Sequence, residues 1–231
     1  MAADKMAKKA SKAMWALCAK LDGLSVRCME VKLHLFEMLV MSIGNYGCQI
    51  WGVDYLRVDS EAHVFNNPLQ KLLFVFLRSI TGAHRSTSRW TLLNEFGLRP
   101  VQVKWAKLCA RWWNNCVGGI NGQLMQRIMK QDIGLFQKGH DKCWVAKFLT
   151  CMGRLNLLGG KSVGQTRASP IEEVLALKFS ESAVEEAFRN HYETHFLKAT
   201  ELDPRNAPSI GLAQVKHTQW FANEAFVHLK F

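Results

Sequence analysis

Seven of the sixteen Lys/Arg in the acid-poor middle of the chain fall between positions 78 and 111: Arg78, Arg85, Arg89, Arg99, Lys104, Lys107 and Arg111. Lys104, Lys107 and Arg111 recur at i, i+3 and i+7, which places them on one edge of a helix with neighbouring Cβ atoms about 5–6 Å apart. That spacing suits successive phosphates of a nucleic-acid strand, and Ser86, Thr87, Ser88, Asn114 and Asn115 could donate further hydrogen bonds to phosphate oxygens. Four tryptophans are interleaved with these groups. Trp105 and Trp112 share an apolar stripe with Leu108 and are expected in the core, whereas Trp113 turns away from that stripe and is the candidate for stacking on a base. The expected nucleic-acid contacts are therefore Arg78, Arg85, Arg89, Lys104, Lys107, Arg111 and Trp113. The competing reading is a solvated basic face with no ligand.

Other chemistries find less support. His191 and His195 stand at i, i+4, but a zinc peptidase needs Glu directly after the first His, and Tyr192 occupies that place. Gly159-Gly160-Lys161-Ser162 is similar to the end of a phosphate-binding loop, which needs another Gly five residues before its second; position 155 is Leu. The seven cysteines include no CxxC pair, and neither Cys109 with Cys116 nor Cys143 with Cys151 has zinc-ligand spacing. Reduced, buried thiols in an intracellular protein are the expectation. Glu61, Glu95, Asp132 and Asp141 are the only acids of the basic middle, and none is paired.

The net charge of +11 is unevenly distributed. Residues 1–60 carry eight Lys/Arg against six Asp/Glu, residues 61–170 sixteen against four, and residues 171–231 six against nine. A basic middle between a near-neutral and an acidic end points to a localised polyanion-binding face. The stretch Leu33–Ile50 is long and apolar, but Glu37 in its interior and the break at Gly44-Asn45-Tyr46-Gly47 make it a core helix and a turn rather than a membrane span.

The elements that must position these residues read as helices. Residues 5–21 place Met6, Ala10, Ala13, Met14, Leu17 and Leu21 on one face and Lys5, Lys8, Lys9 and Lys12 on the other. A second helix spans 28–43. A third starts at Asn67-Pro68, with Asn67 as N-cap, and ends at Thr81-Gly82. A short one covers 90–96, and the basic helix runs over 101–116. Shorter helices are expected at 121–131 and 140–152. Residues 159–169 read as a linker, and capping-box patterns at Ser169–Glu172 and Ser182–Glu185 open two acidic helices. In the second of these, Val184, Phe188, Tyr192 and Phe196 form the apolar row. Asp203-Pro204-Arg205 predicts a turn before a last helix toward Trp220-Phe221.

Leu35-Phe36-x-x-Leu39-Val40 followed by Tyr46-Gly47-Cys48-Gln49-Ile50-Trp51-Gly52 resembles the segment after the palm of non-LTR (LINE-type) retrotransposon reverse transcriptases. That family commonly has Pro where Ser42 stands and Glu where Gln49 stands. Phe76-Leu77-Arg78-x-Ile80-x-Gly82, then Arg85-Ser86-Thr87 and Leu93-x-Glu95-x-Gly97-x-x-Pro100, is similar to the stretch that follows. Asp203-Pro204-Arg205-x-Ala207-Pro208-Ser209-x-Gly211 is similar to an element further downstream.

No segment shows sustained alternation, which predicts a mainly α fold; the resemblance implies an irregular, thumb-like helical bundle followed by a helical linker region. Its expected divisions are thumb-like helices at 1–58, a basic helical region at 59–158, a linker at 159–169 and an acidic helical segment at 170–231. It also implies a grip on an RNA or DNA template–primer duplex, with the polymerase palm as a further partner; phosphate contacts would make that grip nearly sequence-blind, and no membrane partner is expected. Two-metal phosphoryl transfer needs an Asp pair, and Asp4, Asp22, Asp54, Asp59, Asp132, Asp141 and Asp203 offer no adjacent one. The chain is therefore expected to be non-catalytic and free of cofactors. Without the palm, Met14, Leu35 and Phe36 are expected to be partly uncovered. A helical scaffold for a protein partner, or a retroelement relic without activity, is the alternative.

Overall fold

The computed structural model describes residues 2–57, 64–120 and 122–202, the last eight of these as backbone only. The expected turn at 203–205 and the final helix lie outside the described residues, as does the side chain of Phe196. Every regular element among the described residues is helical.

Helix α1 (Ala2–Gly23) buries Ala10, Met14, Leu17 and Leu21 and exposes its lysines, as its periodicity predicts. The chain returns as α2 (Met29–Leu35), a π-helical stretch (Phe36–Met41) and a last α-turn, α3 (Ser42–Gly44). Phe36 stacks on Phe76 with ring centroids 4.1 Å apart, and Met14 is fully buried, so both are covered without a palm. The expectation that they would be open fails because α1, the π-helical stretch and the helix bearing Phe76 cover one another. Leu35 is half-buried. The stretch Leu33–Ile50 is buried on one side only. Phe36, Val40, Met41 and Cys48 face inward, while Met38, Leu39, Ile43, Tyr46 and Ile50 face solvent.

The Tyr-Gly-x-x-x-Trp-Gly run has a packing role. Gly47 adopts φ +70°, a left-handed turn that a side chain would strain. Trp51 donates its indole N–H to the Tyr46 carbonyl at 3.0 Å, closing the turn into α4 (Cys48–Trp51) and a 3₁₀ turn (Gly52–Tyr55). At Gly52 a Cβ would stand 3.4 Å from the Cβ of Trp105, and Trp51, Tyr55 and Trp105 meet edge to face around that contact.

Helix α5 (Pro68–Thr81) begins as expected. Asn67 Oδ1 accepts the N–H groups of Leu69 and Gln70 at 2.9 and 3.0 Å, and Gly82 closes the helix in the left-handed region. Helix α6 (Arg89–Glu95) leads to α7 (Val101–Val117), the central element. Its sides pack against α4, the 3₁₀ turn, α8 (Gln123–Gln137) and a long C-terminal helix. Helix α9 (Trp144–Arg154) follows, its N-terminus held by Asp132, whose carboxylate accepts the Val145 N–H at 2.7 Å.

Residues 159–169 are not a linker. Ser162 and Gln165 form a reciprocal capping box that starts α10 (Val163–Ala168), Thr166 is buried, and Arg167 lies over the Phe136 ring. A capping box was expected instead at Ser169, but α11 (Ile171–Ala176) follows Pro170 without a side-chain cap. Helix α12 (Glu181–Leu202) begins one residue before the expected Ser182, and Ser180 Oγ accepts the Ala183 N–H at 3.4 Å. Val184, Phe188 and Tyr192 are buried against α7 and its neighbours, which joins the acidic segment to the same apolar core.

Candidate nucleic-acid interface

Helix α7 carries the expected basic edge, but the edge is occupied. Arg111 donates from Nε and Nη2 to both carboxylate oxygens of Glu181, at 2.8 and 2.7 Å. One turn earlier, Lys107 reaches Glu185 at 2.5 Å, and Arg99 reaches the other oxygen of Glu185 at 2.9 Å. Lys104 pairs with Glu37 on the π-helical stretch. The pairing follows from geometry. Helix α12 runs antiparallel to α7, so Glu181 and Glu185 at i, i+4 meet Arg111 and Lys107 at matching spacing. The hydrogen bonds to the Glu181 carboxylate, and then its charge, raise the pKa of Arg111, and the same hydrogen bonds hold the Glu181 carboxyl below its ordinary range. Lys107 and then Arg99 do the same to Glu185.

These pairs rim a groove of about 760 Å³ between α2, the π-helical stretch, the 96–100 loop and α7. Its floor is apolar, with Leu33, Phe36, Phe96 and Leu108 among the lining groups. The rim groups stay about one-third to one-half exposed, so the ion pairs are solvated rather than sealed.

Trp113 is not available for stacking on a base. It is fully buried, donates its indole N–H to the Leu177 carbonyl at 2.9 Å, and packs against Trp144, Phe148 and Phe179. Helix α7 is central and buries two sides, and Trp113 lies on the second of them. Trp112, expected in the core, is half-buried. Asn114 is also committed: its side chain donates to the Phe179 carbonyl and accepts the Phe179 N–H, docking the segment before α12.

Arg78, Arg85 and Arg89 form a separate group around the turn from α5 to α6, and none forms an ion pair with a carboxylate among the described residues. Arg78 is half-buried. It donates to the Thr87 carbonyl at 3.1 Å and lies over the Phe74 ring, 5.8 Å from its centroid. Burial, and then the nearby charge of Arg89, depresses its pKa. Arg89 lies over Phe65, 5.7 Å from the ring centroid, and is exposed to solvent, as is Arg85. His84 and Ser86 bond to each other within the turn at 2.7 Å.

Among the described residues no group of three or more His, Cys, Asp or Glu side chains could hold a metal ion, and no helix is long and apolar enough to cross a membrane. Lys161 pairs with Glu173 at 2.7 Å and Ser162 caps α10, so neither is arranged for a phosphate. Glu37, Glu181 and Glu185 are not among the residues expected from the sequence. The signal for two of them was the acidic i, i+4 pair in a segment with an excess of acids over bases.

No family model, no curated protein and no solved structure matches this chain.

Proposed function

We propose that the chain is a non-catalytic, helical nucleic-acid-binding piece of a retroelement reverse transcriptase, and that its contact surface centres on Arg78, Arg85 and Arg89. The ordered resemblance of its motifs supports the family. One observation carries the binding reading: among the described residues no carboxylate pairs with the neighbouring Arg78 and Arg89 or with Arg85, exposed in the turn between them, while the cations of the α7 edge are neutralised within the chain. Mutual repulsion in such a cluster is relieved when phosphates replace the missing anions. Contacts of this kind are salt-sensitive and carry little sequence information. The test is binding of a template–primer duplex across a salt series by the parent chain and by Arg85→Ala/Arg89→Ala. The variant should lose about 0.9 per charge from the slope of log K against log salt on a B-form duplex. An unchanged slope with the fold intact would exclude the patch.

A second reading, a scaffold for a protein partner such as the palm that the resemblance implies, is favoured by a different observation. Trp15, Met38, Leu39, Ile43, Tyr46 and Ile50 are large apolar groups that remain about one-third exposed or more, Tyr46 at 76 %. Exposed apolar surface on this scale is characteristic of interaction sites.

A further inference from the structure

We propose that the acidic edge of α12 is an internal latch that keeps the α7 cations from a nucleic-acid backbone. The inference rests on the reading of the chain as a nucleic-acid binder and goes beyond it. Glu181 and Glu185 hold Arg111, Lys107 and Arg99 at hydrogen-bond distances of 2.5–2.9 Å, one carboxylate per turn of helix. Successive carboxylates at that spacing present to α7 the same pattern of anionic oxygens that a strand of phosphates would. Glu37 repeats the arrangement on the opposite wall of the groove with Lys104.

Two features make this contact displaceable. Every partner keeps about a third or more of its side chain in solvent, so the pairs gain little from burial and are weakened by salt. The apolar anchoring of the two helices is independent of them. Val184, Phe188 and Tyr192 on α12, and Trp105, Ala106, Cys109 and Trp113 on α7, are buried irrespective of the rim. The carboxylates can therefore be exchanged for phosphates without separating the helices. A polyanion delivering several charges at once competes with single carboxylates through counterion release. The Arg78–Arg85–Arg89 patch has no such latch among the described residues and gives the first contact, after which the α7 edge adds to the site.

The experiment compares duplex binding by the parent, by Glu181→Gln/Glu185→Gln, and by the control Glu172→Gln/Glu186→Gln. The control raises the net charge equally, at exposed carboxylates that pair with none of the α7 cations; Glu186 pairs with Arg189 at 3.4 Å. Freeing the edge should tighten binding severalfold beyond the control and steepen the slope of log K against log salt by about 0.9 for each cation that gains a phosphate. Adding Lys107→Ala/Arg111→Ala to the freed variant should remove the gain. If the freed variant binds no more tightly and no more steeply than the control, the latch is wrong. Should the double variant unfold, Glu185→Gln alone, which releases both Lys107 and Arg99, carries the same comparison against Glu186→Gln. A parent that binds no duplex while the freed variant does would support the latch and refute the Arg78–Arg85–Arg89 site. Absence of binding in both would refute the latch and the nucleic-acid reading alike.

Discussion

Trp105 donates its indole N–H to the side-chain oxygen of Asn45 at 2.7 Å, across sixty residues of sequence and with both groups buried. The bond ties the helix before the Tyr-Gly-x-x-x-Trp-Gly turn to the central helix α7, and it lies beside the contact of Gly52 with the Trp105 ring. Asn45→Ala leaves the indole N–H without its acceptor, which should cost about 1–3 kcal/mol. Trp105→Phe removes the same bond from the other side. The two losses should couple in a double-mutant cycle by about 0.5–3 kcal/mol. Denaturant unfolding of the four proteins measures the coupling, and strictly additive losses would show that the bond contributes nothing.

Gly44 is set by packing. A Cβ there would stand 2.5 Å from Leu69 Cδ2, a distance that forces Leu69 or the helix to move. Gly44→Ala should destabilise by roughly 1–3 kcal/mol through overpacking. Gly44→Ala with Leu69→Ala should recover part of the combined loss, because the second change vacates the space the first one needs. Unfolding midpoints decide the matter: a double variant no better than the sum of the singles would place the strain elsewhere.

Local signals were legible in the sequence and distant partnerships were not. Asn67-Pro68 and Gly82 bound α5 because capping depends on a few adjacent residues. The lysine and apolar faces of α1 followed from periodicity alone. Trp113 failed for a physical reason: α7 is surrounded by neighbours and buries two sides, so an apolar stripe on one side did not leave the other open. The Lys104, Lys107 and Arg111 edge was correctly placed on the helix, but its partners lie 67, 78 and 70 residues away, where spacing gives no register. Residues 159–169 lacked apolar periodicity, yet the Ser162–Gln165 box makes a helix there with a buried Thr166 as its anchor.

Trp113→Ala should act on stability and not on nucleic-acid contact. Removing a fully buried indole packed on Trp144, Phe148 and Phe179 should cost about 3–5 kcal/mol. Where the variant still folds, the salt slope of duplex binding should equal the parent's. A lowered slope with unchanged stability would return Trp113 to the binding surface.

The seven free thiols should react in an order set by burial. Cys28 is exposed and should react with a disulfide reagent first, followed by the half-buried Cys18 and Cys143. Cys48, Cys109, Cys116 and Cys151 are buried, and burial pushes the Cys48 thiol up to about 12 and raises that of Cys109 well above its ordinary value. Thiolate is the reactive form, so at pH 8 Cys48 and Cys109 should be silent until the protein unfolds, and burial alone should keep the reagent from Cys116 and Cys151. Labelling followed by peptide mass mapping reads the order. Early modification of Cys48 or Cys109 would mean that the contact between α4 and α7 opens in the native state.

Acid should unlatch α12 before it unfolds the core. The Glu181 and Glu185 carboxyls have folded pKa values below their ordinary 4.5, so their stabilising contribution is complete above the unfolded value and disappears as pH falls through the folded one. The groups facing them are Arg111 and Lys107 at Glu181, and Lys107, Arg99 and Arg189 at Glu185. Stability measured by urea unfolding should therefore decline as pH drops below about 4.5. In Glu181→Gln/Glu185→Gln the decline should be shallower, and the two proteins should converge in stability at the acid end. A variant whose pH profile runs parallel to the parent's throughout would show that the ion pairs along α7 do not favour the folded state.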